Sequence, residues 1–538
     1  MITLIKRMVA VLTAFSLLYV SVAVRLYTLA VSDTESVNTS QRRYTADVGE
    51  IRGEILDCNG ERLVMTEYEN VAAAKPTYRA LKELEKVLDT NQYLSAKERM
   101  EKSNAVTISI GDAEIEENSD IIMLKNFKRY SVSGLAAHTI GYLDGEGRGV
   151  YGIEKSFDDI LYTGKKLSVS FTSDVYGRVL GGTEIKINNE KMKTGTVTLT
   201  LDREIQRITE KALDENGVMC GGAIVVETAT GAIKAAVSRP VFVASRVSEY
   251  LDDENSPLFN RTLNAFSVGS VFKVVVAATA IESKKAGFTY ECKGECDVGD
   301  KIFSCNDKKA HGELDLTKAL ECSCNTFFIE LAAKVGADKI LETASLMGFG
   351  QEIQLAEGFV SKSGTLPSLQ ELSGAGAFAN FSFGQGKFTA TMLQLSNMIN
   401  AVAEQGKYHL PYLVENVTDA DEKTVFAHEG GFPVYVLSEK TAEMLTAMLS
   451  SVIEKGNAQK AKPDGNMLAA GKTATAQTGI FDADGREVCN TWFAGFFDTQ
   501  KSRYSVVVLK EGGSSGAVDC APIFKCIADE IIKLEKNS

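Results

Sequence analysis

The chain has 538 residues, 44% apolar and 24% charged, with 58 Lys and Arg against 71 Asp and Glu, a formal net charge of −13. At roughly 150 residues per domain, this length holds about three to four units of ordinary globular composition. Eight prolines and ten cysteines exclude a collagen and a small disulfide scaffold, and four histidines leave little for a His-rich metal enzyme; the acidity speaks against general nucleic-acid binding, which needs clustered Lys and Arg.

Met8 to Val24 is an uncharged run of 17 residues, preceded by Lys6 and Arg7 and closed by Arg25. As a helix it rises ~26 Å, near the lower limit for a ~30 Å hydrocarbon core. Leu26 to Val31 extends it if Arg25 snorkels. Residues 1–7 then form a cytoplasmic tail and 8–31 a membrane anchor, with the rest outside, because basic residues precede the run. The alternative is a cleaved signal peptide ending near Val22-Ala23-Val24. The run exceeds the ~7–15-residue signal core, which favours an uncleaved anchor.

Residues 32–195 read as a mostly β pedestal. It begins with a polar stretch, Ser32 to Tyr44, and continues with Arg52-Gly-Glu-Ile-Leu-Asp-Cys-Asn-Gly60, a strand running into an Asn-Gly turn. Lys82 to Lys102 is helical in pattern, and Val106 to Ile122 alternates like strands. Gly147-Arg-Gly149-Val-Tyr-Gly152 matches the literal dinucleotide fingerprint but lacks the buried strand before it, so it predicts a turn into a helix from Ile153 to Leu161.

A second domain, 196–538, opens with a strand at Thr196 to Leu201 and a helix, Arg203 to Asn216, capped by Asp202. Gly222 to Glu227 and Ala232 to Val237 form a hairpin across Thr230-Gly231. Helical patterns follow at Val271–Glu282, Leu316–Val335, Thr391–Glu404 and Ser438–Glu454. Late strands are Thr491–Phe497 and Tyr504–Leu509, and an amphipathic helix, Pro522–Leu534, ends the chain. Strands, helices, strands and a final helix predict an α+β fold with one antiparallel sheet.

Ser270-Val-Phe-Lys273 is the only Ser-x-x-Lys. Residues three apart share a helix face, so the Lys273 amine can reach the Ser270 hydroxyl. A serine at a helix start also has backbone N–H groups suited to an oxyanion, and a basic lysine requires burial or a neighbouring cation. Ser-x-x-Lys enzymes pair this motif with Ser-x-Asn and Lys-Thr-Gly. Ser-x-Asn occurs at Ser36-Val-Asn38, Ser304-Cys-Asn306 and Ser323-Cys-Asn325; the last lies between apolar helical segments and is preferred. The literal Lys193-Thr194-Gly195 opens a strand 75 residues before the nucleophile and reads as a linker turn, and Lys440-Thr-Ala442 lies on a helix. The remaining candidate is Gly471-Lys472-Thr473-Ala474-Thr475-Ala476-Gln477, a strand edge whose Ala474 replaces the motif's glycine and narrows the approach to the strand.

With these residues the chain resembles the class B penicillin-binding proteins, membrane-anchored peptidoglycan D,D-transpeptidases. Arg52–Gly60 is similar to the family's first motif, with Cys58 where Arg is usual. His138-Thr-Ile-Gly141, Gly152-Ile-Glu-Lys155, Leu199-Thr-Leu-Asp202 with Gln206, Asn260-Arg261, His311-Gly312, Gly384-Gln-Gly386 and Trp492-Phe-Ala-Gly495 resemble later landmarks, and Val268 stands for the usual Pro. The resemblance covers about residues 50 to 530.

It implies a serine penicillin-binding, β-lactamase-like fold with an antiparallel sheet, packed helices and an all-α subdomain. It implies Ser270 as nucleophile and Lys273 as base, with Ser323 and Lys472 relaying a proton to the leaving amine and Asn325 holding Lys273 and the substrate. The backbone N–H groups of Ser270 and Thr475 form the oxyanion hole; Thr473 and Thr475, on the strand with Ala474, bind the substrate carboxylate. No cofactor or metal is implied. The partners are D-Ala-D-Ala stem peptides, β-lactams and a membrane glycosyltransferase of the shape, elongation, division and sporulation type, since no glycosyltransferase domain is recognised here. Elongation, division and sporulation roles stay open. Alternatives are a D,D-carboxypeptidase, against which the pedestal speaks, and a catalytically silent scaffold fed by Ala474, Val268 and Cys58. Relatives also often pair cysteines before the His311-Gly312 landmark, which favours a Cys292–Cys305 disulfide, with Cys296 as competing partner. A zinc set of Cys292, Cys296, Cys305 and His311 fits no usual spacing. Cys220, Cys322, Cys324 and Cys489 read as buried free thiols.

Overall fold

The computed structural model describes residues 2–32, 42–482 and 484–537, without the side chains of residues 29–32 and 307. The Ser36-Val-Asn38 motif lies outside the described residues. Helix α1 (Ile2–Ser32) takes in the whole apolar run. It is the one helix among the described residues that is long and apolar enough to cross a membrane, and its Ile2–Thr28 stretch is unburied by protein.

The chain forms two compact units, each assembled from separate segments. The first comprises Met1–Gly49, Glu69–Asn126 and Lys166–Glu190. Its three-stranded sheet is ordered Val106–Gly111, Glu67–Ala74, Ile121–Lys128. Ala72, Ala74, Leu84, Met100 and Ile121 make a small core. The helix predicted over Lys82–Lys102 is two helices, Tyr78–Glu85 and Thr90–Glu101. Asp89 separates them because its carboxylate accepts from the N–H groups of Asn91 and Gln92 and caps the second.

The second unit comprises Glu50–Tyr68, Phe127–Lys165 and Lys191–Ser538. Its centre is a five-stranded antiparallel sheet of β1 (Gly221–Glu227), β2 (Ile233–Arg239), β3 (Ala469–Phe481), β4 (Glu487–Asp498) and β5 (Arg503–Glu511), in the order β2-β1-β5-β4-β3. Alternation along β4 sends Phe493 and Phe497 to one face and Trp492, Ala494 and Phe496 to the other. Both faces are covered, so the strands read as nearly continuous apolar runs. On the first face lie helix α2 (Arg203–Glu215), capped by Asp202 as the sequence predicts, and the C-terminal helix. Against the opposite face lies α5 (Met392–Ala403), while α6 (Glu439–Glu454) packs on β3; α3 (Lys273–Glu282) packs on α6, and α4 (Asn325–Val335) on α3. The C-terminal helix is α7 (Ala521–Asn537), whose Phe524 ring lies 4.4 Å from that of Phe493. Every residue of α5 is buried, and its Ser396 hydroxyl meets that of Ser505 on β5 at 3.2 Å.

Two helices differ from the periodicity. Leu316–Val335 breaks into Leu316–Glu321 and α4, because Ser323 adopts a left-handed φ of 54°. The Ile153–Leu161 segment is two short turns, Gly152–Ser156 and Asp158–Leu161. The glycine fingerprint before it serves packing: Gly147 O accepts from buried Arg52 at 2.9 Å, and a Cβ on Gly149 would lie 2.1 Å from Glu154 O.

Candidate active site

Gly269 takes a φ of 65° and turns the chain from Phe266–Ser267 into a 3₁₀ turn, Gly269–Phe272, which runs straight into α3. The turn is pressed between two pieces of backbone. Gly269 N donates to Gly384 O at 2.9 Å. A Cβ on Gly384 would lie 2.1 Å from Gly269 O, and one on Gly269 would lie 3.1 Å from Thr475 O on β3. Trp492 Nε1 donates to Ser267 O at 2.9 Å, and the Phe272 ring packs on Phe381 and Phe388 at 4.8 and 4.4 Å. Ser270 is thus held half-buried on a fixed turn. Among the described residues none hydrogen-bonds its hydroxyl, which stays open to a substrate.

Lys273 is fully buried at the first turn of α3. Its Nζ donates to Ser323 O at 2.7 Å, Ser323 Oγ at 3.2 Å and Asn325 Oδ1 at 2.7 Å, and lies 5.6 Å from the Phe328 ring centre. The sequence expects this amine on Ser270; here its donors go to the second motif. Burial pulls the amine down to about 8, partly offset by the thiols of Cys324, Cys305 and Cys322. The break at Ser323 is what turns both its oxygens and the Asn325 amide toward Lys273. Asn325 is fixed from behind, since its Nδ2 donates to Ser304 O at 3.1 Å. The rejected Ser304-Cys-Asn306 motif therefore supports the site through its main chain, a role no side-chain pattern reveals.

The third motif runs along β3, the sheet's edge strand. Lys472 is fully buried, donates to Thr473 O at 3.1 Å, and is pushed far below the ordinary amine range by burial and by Lys273 nearby. Thr473 Oγ1 donates to Asn457 Oδ1 at 3.1 Å, and exposed Thr475 accepts from Gly516 N at 3.4 Å through its hydroxyl. Sequence reasoning missed Asn457 and Gly516, which sit in loops without a motif. The Thr475 carbonyl faces Gly269, so its N–H, which points the same way in an antiparallel strand, faces the Ser270 turn. Ala474, expected to narrow the cleft, is 3% exposed opposite Trp492, and its methyl belongs to the core. The decoy Lys193 makes an exposed 3.0 Å pair with Glu422 instead.

The favoured Cys292–Cys305 disulfide is absent: all ten cysteines are free, and the two sulfurs stand 3.7 Å apart. The reason is crowding. Cys324, expected only as a buried thiol, shares their pocket with His311, whereas Cys296 lies outside it on a neighbouring hairpin.

Residues 221–529 match the penicillin binding protein transpeptidase domain. Among curated proteins the chain is similar to stage V sporulation protein D of Bacillus subtilis, 26% identical over 459 residues, 79% of this chain and 69% of that one. It is 29% identical over 438 residues to penicillin-binding protein PbpB of Mycolicibacterium smegmatis, covering 76% and 65%, and 28% identical over 422 residues to peptidoglycan D,D-transpeptidase FtsI of Escherichia coli, covering 76% and 67%. The chain thus spans about two thirds of these relatives' length. The D,D-transpeptidase domain of a peptidoglycan glycosyltransferase from Eggerthella lenta shares the fold, with a TM-score of 0.66 at 23% identity over 91% of this chain and 100% of that one. Penicillin-binding protein 3 of Mycobacterium tuberculosis does too, with a TM-score of 0.65 at 22% identity over 92% and 97%; it has also been solved with aztreonam and with ampicillin. The chain belongs to the penicillin-binding protein transpeptidase family, as a class B member of these serine-type peptidoglycan D,D-transpeptidases.

Proposed function

We propose that the chain cross-links peptidoglycan stem peptides through an acyl-enzyme on Ser270. The neutral Lys273 amine takes the Ser270 proton as the hydroxyl oxygen attacks the carbonyl of the penultimate D-Ala. The oxyanion is held by the backbone N–H groups of Ser270 and Thr475. Ser323 and Lys472 pass a proton to the leaving D-Ala amine, and Asn325 orients Lys273 and the peptide. Thr473 and Thr475 bind the terminal carboxylate, aided by the charge of Lys472 when it is protonated. An acceptor amine from a second stem peptide then resolves the ester and regenerates Ser270.

One observation carries this reading: a buried lysine bonded at 2.7–3.2 Å to the Ser-x-Asn pair, one helical turn from an unbonded serine beside the edge strand. The same chemistry makes β-lactams acylate Ser270. The apolar α1 supports a single-pass anchor with its N-terminus in the cytoplasm and the catalytic unit outside, working with a membrane glycosyltransferase of the shape, elongation, division and sporulation type. The test uses the full chain in detergent. Fluorescent penicillin is expected to label it covalently, and Ser270→Ala to abolish labelling. A donor stem peptide with an acceptor amine is expected to give the cross-linked dimer. Labelling that survives Ser270→Ala, or trimmed monomer as sole product, refutes the proposal.

A further inference from the structure

Three sulfurs and one imidazole meet beside the second motif. Ligand atoms of Cys292, Cys305, Cys324 and His311 all lie within 4.8 Å of one another, with the three cysteines buried and His311 half-buried. Cys292 Sγ is 3.7 Å from Cys305 Sγ, Cys305 Sγ is 3.6 Å from Cys324 Sγ, and Cys292 Sγ is 3.3 Å from His311 Nδ1. A disulfide needs about 2.0 Å. A tetrahedral zinc ion, with Zn–S near 2.3 Å and Zn–N near 2.0–2.1 Å, sets its ligands about 3.8 Å apart for two sulfurs and about 3.6 Å for sulfur and nitrogen. Three of the cluster's six edges are already near those lengths, and the other three lie within 4.8 Å.

The fold builds the cluster from separate stretches. Cys292 ends the strand Tyr290–Cys292 and sits opposite Gly312 on the next strand, which brings His311 alongside. Cys305 follows the strand Lys301–Ser304, tied by its N–H to Gly294 O at 2.8 Å. Cys324 caps α4. Donors are aimed at the sulfurs: Gly294 N at Cys292 and Phe327 N at Cys324, each at 3.4 Å, and the Thr326 hydroxyl at Cys292, at 3.3 Å. A metal-bound thiolate sulfur is a hydrogen-bond acceptor that such donors can satisfy. The partly exposed imidazole provides the way in for an ion.

We propose that Cys292, Cys305, His311 and Cys324 bind one zinc ion as a structural centre. Three thiolates and an imidazole suit zinc among common divalent ions, and four protein ligands leave no open position for catalysis at the metal. Its effect falls on the second motif, because Cys324 lies between Ser323 and Asn325, both bonded to Lys273. The ion pins the left-handed break to the strand that ends at Cys292 and to His311, just before the strand paired with it.

The test is elemental analysis of the full chain purified in detergent without chelators. One zinc per chain is expected, retained in Cys296→Ser and His311→Cys, and lost in Cys292→Ser and His311→Ala. Cobalt(II) in its place is expected to show the visible bands of a tetrahedral thiolate site, shifted in His311→Cys. Stripping the metal is expected to slow penicillin acylation at least tenfold, with recovery on adding zinc. The metal count and cobalt spectrum do not depend on the transpeptidase reading. A metal-free chain that takes up no cobalt, a Cys292–Cys305 or Cys305–Cys324 disulfide in the intact mass, or zinc unaffected by Cys292→Ser and His311→Ala overturns the proposal.

Discussion

At the scale of single residues, the proposed base Lys273 predicts a pH dependence. An exposed lysine titrates near 10.4, but burial brings this one to about 8, so about one molecule in ten carries the neutral amine at pH 7. In the proposed mechanism the neutral form is the base, so acylation by a β-lactam is expected to rise with pH through about 8 and level off above it, and rates followed from pH 6 to 9.5 check this. A flat profile removes Lys273 as the titrating base. Asn325→Ala takes away the 2.7 Å acceptor and leaves the amine held only by Ser323, so acylation is expected to fall roughly 10²–10³-fold with the fold intact. Ser323→Gly separates strain from chemistry. It relieves a left-handed backbone at φ 54° and should raise stability by about 1 kcal/mol, while the lost hydroxyl lowers turnover. A thermal melt beside an acylation rate reads both effects in one protein.

At the level of elements, the turn that carries Ser270 is shaped by neighbours distant in sequence. Gly384→Ala puts a methyl into Gly269 O at a φ of 79°, a clash with backbone that cannot move aside. It is expected to cost more than 2 kcal/mol and to abolish penicillin labelling. Trp492→Phe removes the bond to Ser267 O and leaves a small cavity in the core, and should cost about 2 kcal/mol with a milder loss of labelling. Here the sequence was read well where local pattern decides: the capped α2 and the sheet strands follow from cap and alternation, and the preferred Ser-x-Asn pair does meet Lys273. It was read poorly where a long-range contact decides. The left-handed Ser323 that splits Leu316–Val335, the burial of Ala474, and the meeting of Cys324 with Cys292 and Cys305 each depend on segments the chain order does not bring together. Local propensity has no access to such contacts.

For the whole molecule, the second compact unit takes in Glu50–Tyr68 and Phe127–Lys165 as well as Lys191–Ser538. Strand Glu54–Leu56 pairs in parallel with Thr196–Leu199, and Ile55 is fully buried. Asp57 accepts from Arg203 N at 3.0 Å at the start of α2. Behind them Arg52 pairs with buried Glu154 at 2.8 Å and Asp158 at 2.8 Å, and Arg129 pairs with Glu154 at 2.6 Å. The resembling landmarks Arg52–Gly60 and Gly152–Lys155 are therefore scaffold that holds the unit together. Since Arg52, Arg129, Glu154 and Asp158 all precede residue 196, a chain starting there leaves no orphaned charge from this cluster. It does lose the apolar cover of Ile55, Leu63, Val64, Ile140, Ile153 and Leu161, each worth about 1.5–3 kcal/mol when fully buried, and it opens the edge of Thr196–Leu199 to water. A chain of residues 196–538 is therefore expected to melt roughly 10 °C or more below a chain of residues 42–538, at about 2–4 °C per kcal/mol for a domain this large. It should also aggregate through the bared strand. Equal melting temperatures for the two would place the catalytic unit's edge at residue 195 after all.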